Sequence, residues 1–193
     1  MIKYVFKKII KFIFFISVIL TTTAAKTYNN GAGVVVEKKR DAFSDFADIL
    51  FLHKKNNGRM SREAIADAIK KVVQIETGGD IRKKNPYTGA SGAIQILPKM
   101  ARRLGLAKNH HLQPLGEQVG NAAKYYVEQL NYFDFPATPA DFYLLCFYPS
   151  AVNKGFGYKV GGPKVAAQNK ILDLNKDGQI LKGEIVKYFN SFK

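Results

Sequence analysis

Cysteine is nearly absent from this sequence, and that scarcity excludes several kinds of site. The only cysteine is Cys146, so an intramolecular disulfide is impossible, and no Cys/His spacing typical of a zinc site occurs. Cys146 ends the apolar run Phe142-Tyr143-Leu144-Leu145-Cys146, which favours a buried structural thiol. The adjacent residues His110 and His111 would point in different directions, so we do not expect them to share a metal ion.

Acidic residues are scarce relative to basic ones. The chain has 193 residues, with 15 Asp and Glu against 30 Lys and Arg, for a net charge of +15. This imbalance predicts a polyanionic partner, and nucleic acid, an acidic membrane surface and the bacterial cell wall all fit. The apolar share of 47%, with 14 Phe and 10 Tyr, excludes a disordered chain. The length suits one domain with a short appendage.

No apolar run is long enough for an ordinary membrane span, which needs about 20 residues. The run Phe12–Leu20 follows four lysines and precedes small residues up to Ala25, which is the layout of a secretory signal. We therefore predict that residues 1–25 are a cleaved signal peptide, with an uncleaved inner-membrane anchor from Ile9 as the alternative. The mature protein is then expected to be periplasmic or extracellular. Export disfavours nucleic acid as the partner, favours the cell envelope and limits membrane contact to an uncleaved N-terminal segment.

The rest of the chain carries helix signals and no convincing hairpin signal. Residues 26–40 are polar, basic and glycine-containing, as in a linker. Apolar residues at helical spacing predict one helix after Asp41 and a second after the cap Ser61. Pro98 suits the first turn of a third helix, which Gly105 would close. Two further helices are predicted from apolar positions (Leu115, Val119, Ala122, Ala123, Tyr126, Leu130) and from the capping box Thr138-Pro139-Ala140-Asp141.

The second helix brings a carboxylate to the end of its apolar face. That face consists of Ile65, Ala68, Ile69, Val72 and Val73. Continuing the same spacing reaches Glu76, just before Gly78 and Gly79, which should stop the helix. A carboxylate in that place is partly desolvated and its pKa is raised, as a general acid near neutral pH requires. A helix-terminal glutamate turned to solvent is the alternative.

The residues from Glu76 to Ala101 resemble the motifs of a known family. Glu76-Thr77, then Gly89-Ala90-Ser91-Gly92-Ala93-Ile94-Gln95, then Pro98-Lys99-Met100-Ala101 are similar in type, order and spacing to the soluble lytic transglycosylases with a lysozyme-like fold. The looser helical pattern extends the resemblance over Leu50–Val152. It implies a mainly α, goose-type lysozyme-like domain over residues 41–160.

The resemblance also implies roles for individual residues. Glu76 would be the catalytic acid and base, Gln95 would contact a sugar or its N-acetyl group, and Ser91 and Tyr148 would line the cleft. The third family motif, Ala-Tyr-Asn, would fall at Phe147-Tyr148-Pro149, where only the tyrosine is kept. This departure looks like a variant of phage-type and secretion-associated members, so a secretion or phage-type machine is a candidate partner.

The implied function is cleavage of peptidoglycan glycan strands between N-acetylmuramic acid and N-acetylglucosamine, with formation of a 1,6-anhydro sugar. No cofactor is expected for catalysis. Two alternatives stay open: a goose-type lysozyme that uses the same site for hydrolysis, and a non-catalytic envelope-binding or assembly protein with the same fold.

A second pattern lies near the C-terminus, in residues 161–193. The stretch Asp173 to Glu184 matches the EF-hand calcium loop at positions 1, 3, 5, 6, 8 and 12. The predicted ligands are Asp173, Asn175, Asp177, the backbone carbonyl of Gln179, and both carboxylate oxygens of Glu184. Only one such loop occurs, so we predict a structural Ca²⁺ rather than a paired calcium sensor, followed by a C-terminal helix.

Overall fold

A computed structural model describes residues 41–192 of the chain. The predicted signal or anchor, residues 1–25, and the predicted linker, residues 26–40, lie outside the described residues. Within 41–192 the chain is mainly helical and has no strand, so the predicted all-α class is confirmed. Only isolated bridges occur there, joining Lys84 to Ser91, Ser91 to Ile96 and Lys159 to Leu181. No helix in this range combines the length and apolar character needed to cross a membrane.

Residues 41–192 form seven α-helices and three short 3₁₀ helices. The α-helices are α1 (Ala42–Phe51), α2 (Arg62–Thr77), α3 (Pro98–Arg103), α4 (Leu115–Gln129), α5 (Pro139–Phe147), α6 (Pro163–Gln168) and α7 (Lys182–Ser191). The 3₁₀ helices are His110–Leu112, Pro149–Ala151 and Lys170–Leu172. The five helices expected from spacing and caps are α1 to α5, and the predicted C-terminal helix is α7.

Local chemistry sets the ends of these helices. Asp41 Oδ1 accepts a hydrogen bond from the Ser44 amide at 2.8 Å, and the Ser61 hydroxyl accepts one from the Ala64 amide at 3.2 Å. Both bonds satisfy an amide that the helix itself leaves without a partner. Gly78 ends α2 at a φ of 63°, in the left-handed region that glycine adopts without steric cost.

One hydrophobic core runs through the described range. Helices α1, α2, α4 and α5 pack together, and the rings of Phe46, Tyr126 and Phe142 meet at its centre, with the Phe46 and Tyr126 centroids 5.4 Å apart. Ile185 and Phe189 of α7 are fully buried in the same core. Each large apolar side chain buried in this way contributes about 1.5–3 kcal/mol relative to exposure. Residues 41–160 and 161–192 therefore share one core.

A buried ion pair attaches α7 to α5. Lys182 Nζ lies 2.6 Å from Asp141 Oδ1, and both side chains are buried. The Asp141 carboxylate also accepts hydrogen bonds from the Asn153 amide at 3.2 Å and from the Thr138 hydroxyl at 2.9 Å. These partners offset the desolvation of the two charges, which otherwise costs several kcal/mol per ion. The pair thereby sets the position of α7 on the first turn of α5.

Candidate active site

A cleft of about 490 Å³ opens at the C-terminal end of α2, within the range typical of ligand sites. Its lining residues come from α2, the loop of residues 83–97, α3, α4, α5 and the segment after residue 168. They are Ile75, Glu76, Lys83, Asn85, Thr88, Ala90, Ile94, Gln95, Leu97, Met100, Tyr125, Tyr143, Cys146, Phe147, Asn169, Ile171, Leu172 and Tyr188. Among the described residues that line it, Glu76 is the only acidic one.

Glu76 is half-buried in the wall of this cleft. Burial raises the pKa of its carboxyl group to about 7, although the positive charge of Lys83 opposes that shift. The end of α2 that carries it is held by Thr77, whose hydroxyl donates to the Val73 carbonyl at 2.7 Å and accepts from the Gly79 amide at 3.0 Å. Glu76 therefore lies on an anchored helix end and can give or take a proton near neutral pH, as the helix spacing led us to expect.

Gln95 lies in the same cleft, on a tight turn. Its backbone has a φ of 50°, and its Nε2 atom donates to the carbonyl oxygens of Lys83 at 3.1 Å and Gly92 at 3.0 Å. Both amide protons are thus used by the backbone of the loop. The Oε1 atom is left as the hydrogen-bond acceptor that Gln95 can offer to a ligand in the cleft. The fold therefore brings Glu76 and Gln95 together.

Ser91 is placed behind this turn and is not among the cleft-lining residues. It is 5% exposed, and its hydroxyl lies 3.3 Å from His110 Nε2. Burial lowers the pKa of His110, which keeps the ring neutral as a partner for the hydroxyl. On the same side, the Ala93 amide donates to Gln118 Oε1 at 2.8 Å. Ser91 and Gly92 therefore face the residues that follow α3, whereas Ala90 lines the cleft.

Tyr148 also lies outside the set of residues that line the cleft. It caps the C-terminal end of α5 and is half-buried against the core. The side chains that α5 presents to the cleft come earlier in the chain, namely Tyr143, Cys146 and Phe147. The rings of Tyr143 and Phe147 stack with their centroids 5.7 Å apart and their planes 2° from parallel. The aromatic side chains of α5 that line the cleft are thus Tyr143 and Phe147, whereas Tyr148 was the one expected there.

Three tyrosines that sequence reasoning did not assign to the site line the cleft. Tyr125 comes from α4, Tyr143 from α5 and Tyr188 from α7. Burial raises the pKa of Tyr143 and of Tyr188, and the nearby Glu76 carboxylate raises both further. Their hydroxyls therefore stay neutral and available as donors. The signal that could have identified Tyr188 is its place on the apolar face of a C-terminal helix, where a hydroxyl needs a partner.

The C-terminal loop has the turn that the predicted calcium site requires. Asp173 Oδ1 accepts from the Asp177 amide at 3.2 Å, and its Oδ2 accepts from the Gly178 amide at 2.9 Å. Asn175 Oδ1 accepts from the Asp177 amide at 3.0 Å. Lys176 and Gly178 have φ values of 61° and 80°, which close the turn around these oxygens. Carboxylate and amide oxygens of this kind are the donors that Ca²⁺ prefers.

Glu184 reaches back to the start of this loop. Its Oε1 accepts from the amides of Leu174 at 2.9 Å and Asn175 at 3.1 Å, and its Oε2 accepts from the Leu181 amide at 2.8 Å.

In residues 41–192 no group of three or more His, Cys, Asp or Glu side chains is close enough to hold a metal ion. Gln179 is exposed, and its amide donates to Asp177 Oδ1 at 2.9 Å. The donor types and the turn suit Ca²⁺, whereas the carboxylates themselves bond to backbone amides.

Searches for similar proteins give no match for this chain among protein families, curated proteins or solved structures.

Proposed function

We propose that this protein is an exported peptidoglycan lytic transglycosylase with a lysozyme-like fold, in which Glu76 is the single acid and base. One observation carries the proposal: Glu76, with a pKa of about 7, is the only acidic side chain among the described residues that line the cleft. The resemblance of Glu76 to Ala101 to the motifs of that family supports it. The positive net charge, which is 26 − 15 = +11 once the four lysines of residues 1–25 are removed, suits a polyanionic cell wall.

A single carboxylate favours chemistry in which the substrate supplies its own nucleophile. Most glycosidases place two carboxylates on either side of the scissile bond. Asp80, the next acid along the chain, is exposed, does not line the cleft, and accepts a hydrogen bond from the Arg82 amide at 2.9 Å. No second acid of residues 41–192 is therefore placed to activate water or attack the sugar.

The proposed reaction proceeds in two proton transfers at Glu76. The neutral carboxyl group protonates the glycosidic oxygen between N-acetylmuramic acid and N-acetylglucosamine, and the C1–O bond breaks. The N-acetyl carbonyl of the muramic acid stabilises the positive charge that develops at C1. The Glu76 carboxylate then takes the proton of the C6 hydroxyl as O6 bonds to C1, which closes the 1,6-anhydro ring and restores the acid. The held hydroxyl outcompetes water because effective concentrations reach about 10⁵ M in favourable cases.

The other cleft residues bind and orient the sugar in this scheme. Gln95 Oε1 accepts a hydrogen bond from a sugar N–H or hydroxyl. The neutral hydroxyls of Tyr143 and Tyr188 donate to the substrate or to the Glu76 carboxylate after the first transfer. Ser91 supports the Gln95 turn from behind.

Because the first step needs the protonated carboxyl group of Glu76, the rate of cleavage should fall as the pH rises through about 7.

We also propose that a structural Ca²⁺ occupies the loop from Asp173 to Glu184, held by Asp173, Asn175, Asp177, the Gln179 carbonyl and Glu184. When bound, the ion would supply charge neutralisation and rigidity to the loop that precedes α7. It would take no part in the proton transfers at Glu76. Calcium is plentiful outside the cytoplasm, which fits an exported protein.

Two further functions compete for the same geometry. If water reaches C1 before the C6 hydroxyl does, the same cleft makes a goose-type lysozyme. The third family motif has Asn where this chain has Pro149. This difference favours the other candidate, a protein that binds the envelope glycan without cleaving it.

Product analysis separates these three functions. Purified peptidoglycan is digested with the protein, and the released muropeptides are identified by mass spectrometry, with Glu76→Gln as the control. We expect 1,6-anhydro products from the unaltered protein and none from the variant. Reducing-end products alone would replace the transglycosylase with a lysozyme, and glycan binding without any product would support the binding protein. Full activity in Glu76→Gln would refute both enzymatic functions.

A further inference from the structure

Tyr87 is the most exposed large hydrophobic residue that the structure describes. Its side chain is 95% exposed, although the residues on either side of it contribute to the cleft wall: Asn85 and Thr88 both line the cleft, whereas Tyr87 does not. Tyr87 therefore lies on a turn between two residues of the cleft wall, which we call the rim, and its ring is exposed to solvent there. An aromatic ring in this place exposes apolar surface to water unless a ligand covers it.

The turn that carries Tyr87 is fixed from several directions. Asn85 Oδ1 accepts from the amides of Tyr87 at 2.9 Å and Thr88 at 3.0 Å. The Gly89 amide donates to the Asn85 carbonyl at 2.9 Å, and the Asn85 amide donates to the Ala90 carbonyl at 2.7 Å. The backbone of the turn is thus held by four hydrogen bonds while its ring is left uncovered. Because this backbone is already ordered, a ligand that stacks on the ring does not have to order the turn as well.

The same turn rests on the start of α3. Gly89 has a φ of 70°, and a side chain there would meet Pro98 Cγ at 3.0 Å, so the two segments are in close contact. Leu97, the neighbour of Pro98, lines the cleft and is itself 53% exposed. The rim beside the cleft therefore carries two exposed apolar side chains on well-anchored backbone.

We propose that Tyr87 is a stacking platform for a sugar of the glycan strand just outside the cleft, so that it sets a preference for long strands. This inference rests on the proposed glycan-cleaving function. A glycan is a polymer and must leave the cleft across its rim. The electron-rich face of an aromatic ring attracts the weakly positive C–H groups on the flat side of a pyranose.

The test uses the full chain in a Glu76→Gln background, so that binding is measured without cleavage. Calorimetry compares an N-acetylglucosamine disaccharide with a hexasaccharide, and sedimentation with purified peptidoglycan gives an independent measure. We expect Tyr87→Ala to weaken hexasaccharide binding about three- to tenfold, the size of one aromatic contact, and to leave disaccharide binding unchanged. Tyr87→Phe keeps the ring and should bind as tightly as the parent.

Tyr132→Ala is the matched control, because this tyrosine is 65% exposed and does not line the cleft. It should not change binding to either oligosaccharide. If Tyr87→Ala binds the hexasaccharide as tightly as the parent, or if Tyr87→Phe is as weak as Tyr87→Ala, the platform is refuted while the proposed function stands. If no variant, including the parent with Tyr87 intact, binds glycan, the proposed function fails and this inference fails with it.

Discussion

Glu76 combines a position on the core-facing side of α2 with access to an open cleft. The position on the core side desolvates the carboxyl group and raises its pKa to about 7. The open cleft lets the carboxyl proton reach a ligand. A solvent-exposed glutamate would be ionised at neutral pH and could not start the reaction as an acid. The chemistry proposed here therefore depends on one residue whose ionisation is opposed by the fold.

Because the fold disfavours the ionised form of Glu76, we expect Glu76→Gln to change the stability of the protein in a pH-dependent way. Well below 4.5, the ordinary pKa of a glutamate side chain, the carboxyl group is protonated in both the folded and the unfolded chain, so it has no effect on stability. Between 4.5 and about 7 the unfolded chain ionises first, and folding loses up to about 3 kcal/mol. The glutamine has no such cost. The variant should nearly match the parent at a pH of about 4 and exceed it by about 2–3 kcal/mol at a pH of about 8.

Urea unfolding at the two pH values measures this difference. Glu117→Gln is the control, since Glu117 is exposed and does not line the cleft. A Glu76→Gln variant whose advantage is the same at both pH values would show that Glu76 is ionised in the folded protein near neutral pH, against the proposed role as an acid.

At the scale of helices, the position of α7 decides one wall of the cleft. This helix carries Tyr188 into the lining, and the buried pair between Lys182 and Asp141 joins its first residue to α5. Helix α5 in turn carries Tyr143 and Phe147. The ion pair at the start of α7 and the burial of Ile185 and Phe189 in the core therefore hold the two aromatic walls against each other.

Removing one member of that pair should be costly. Lys182→Met leaves the Asp141 carboxylate buried without its cation, which we expect to lower the free energy of unfolding by about 3–5 kcal/mol. The double variant with Asp141→Asn removes both charges and should lose less than the sum of the two single variants, because the pair is coupled. Denaturant unfolding of the four proteins in the cycle gives the coupling energy. Additive losses would show that the pair does not position α7.

At the scale of the whole molecule, the loop of the proposed calcium site, Asp173 to Glu184, is tied to a segment that lies earlier in the chain. The Val160 amide donates to the Ile180 carbonyl at 2.8 Å, and the Lys182 amide donates to the Tyr158 carbonyl at 2.9 Å. The loop is thus paired with the segment of residues 158–160 through backbone hydrogen bonds. Stabilising the loop should therefore stabilise the fold as a whole.

Calcium is expected to raise the melting temperature. At a hundredfold excess over its Kd, an ion that binds only the folded chain adds about 2.7 kcal/mol, and chelation should reverse the gain. Glu184→Gln is the control, since its one amide oxygen can still accept from the Leu174 and Asn175 amides while the bidentate carboxylate is lost, and its melting temperature should not respond to the ion. An unchanged melting temperature for the unaltered protein, together with no heat of binding in calorimetry, would remove the calcium site.

Much of the fold could be predicted because helix signals are local. Each cap acts within a few residues and can therefore be recognised in the sequence, as at Asp41, Ser61 and Thr138. The same holds for the helix end at Gly78. Glu76 could be placed on the core side of α2 for the same reason. The positions of the Ser91 and Tyr148 side chains were harder to predict, because a residue on a turn or at a helix end can face either the cleft or the interior. Only packing, of Ser91 against His110 and of Tyr148 against the core, decides between the two.

The sequence by itself determined α1 to α5 and α7, the basic charge, the desolvated end of α2 at Glu76 and the spacing of the C-terminal loop, but not the short helix α6. Only the tertiary structure decided which residues meet at the cleft: that Tyr125, Tyr143 and Tyr188 surround the acid, and that no second carboxylate of residues 41–192 joins it. The physical reason is distance along the chain. Local hydrogen bonds and apolar spacing span a few residues, whereas Glu76 and Tyr188 are brought together by the packing of α2, α5 and α7 in one core.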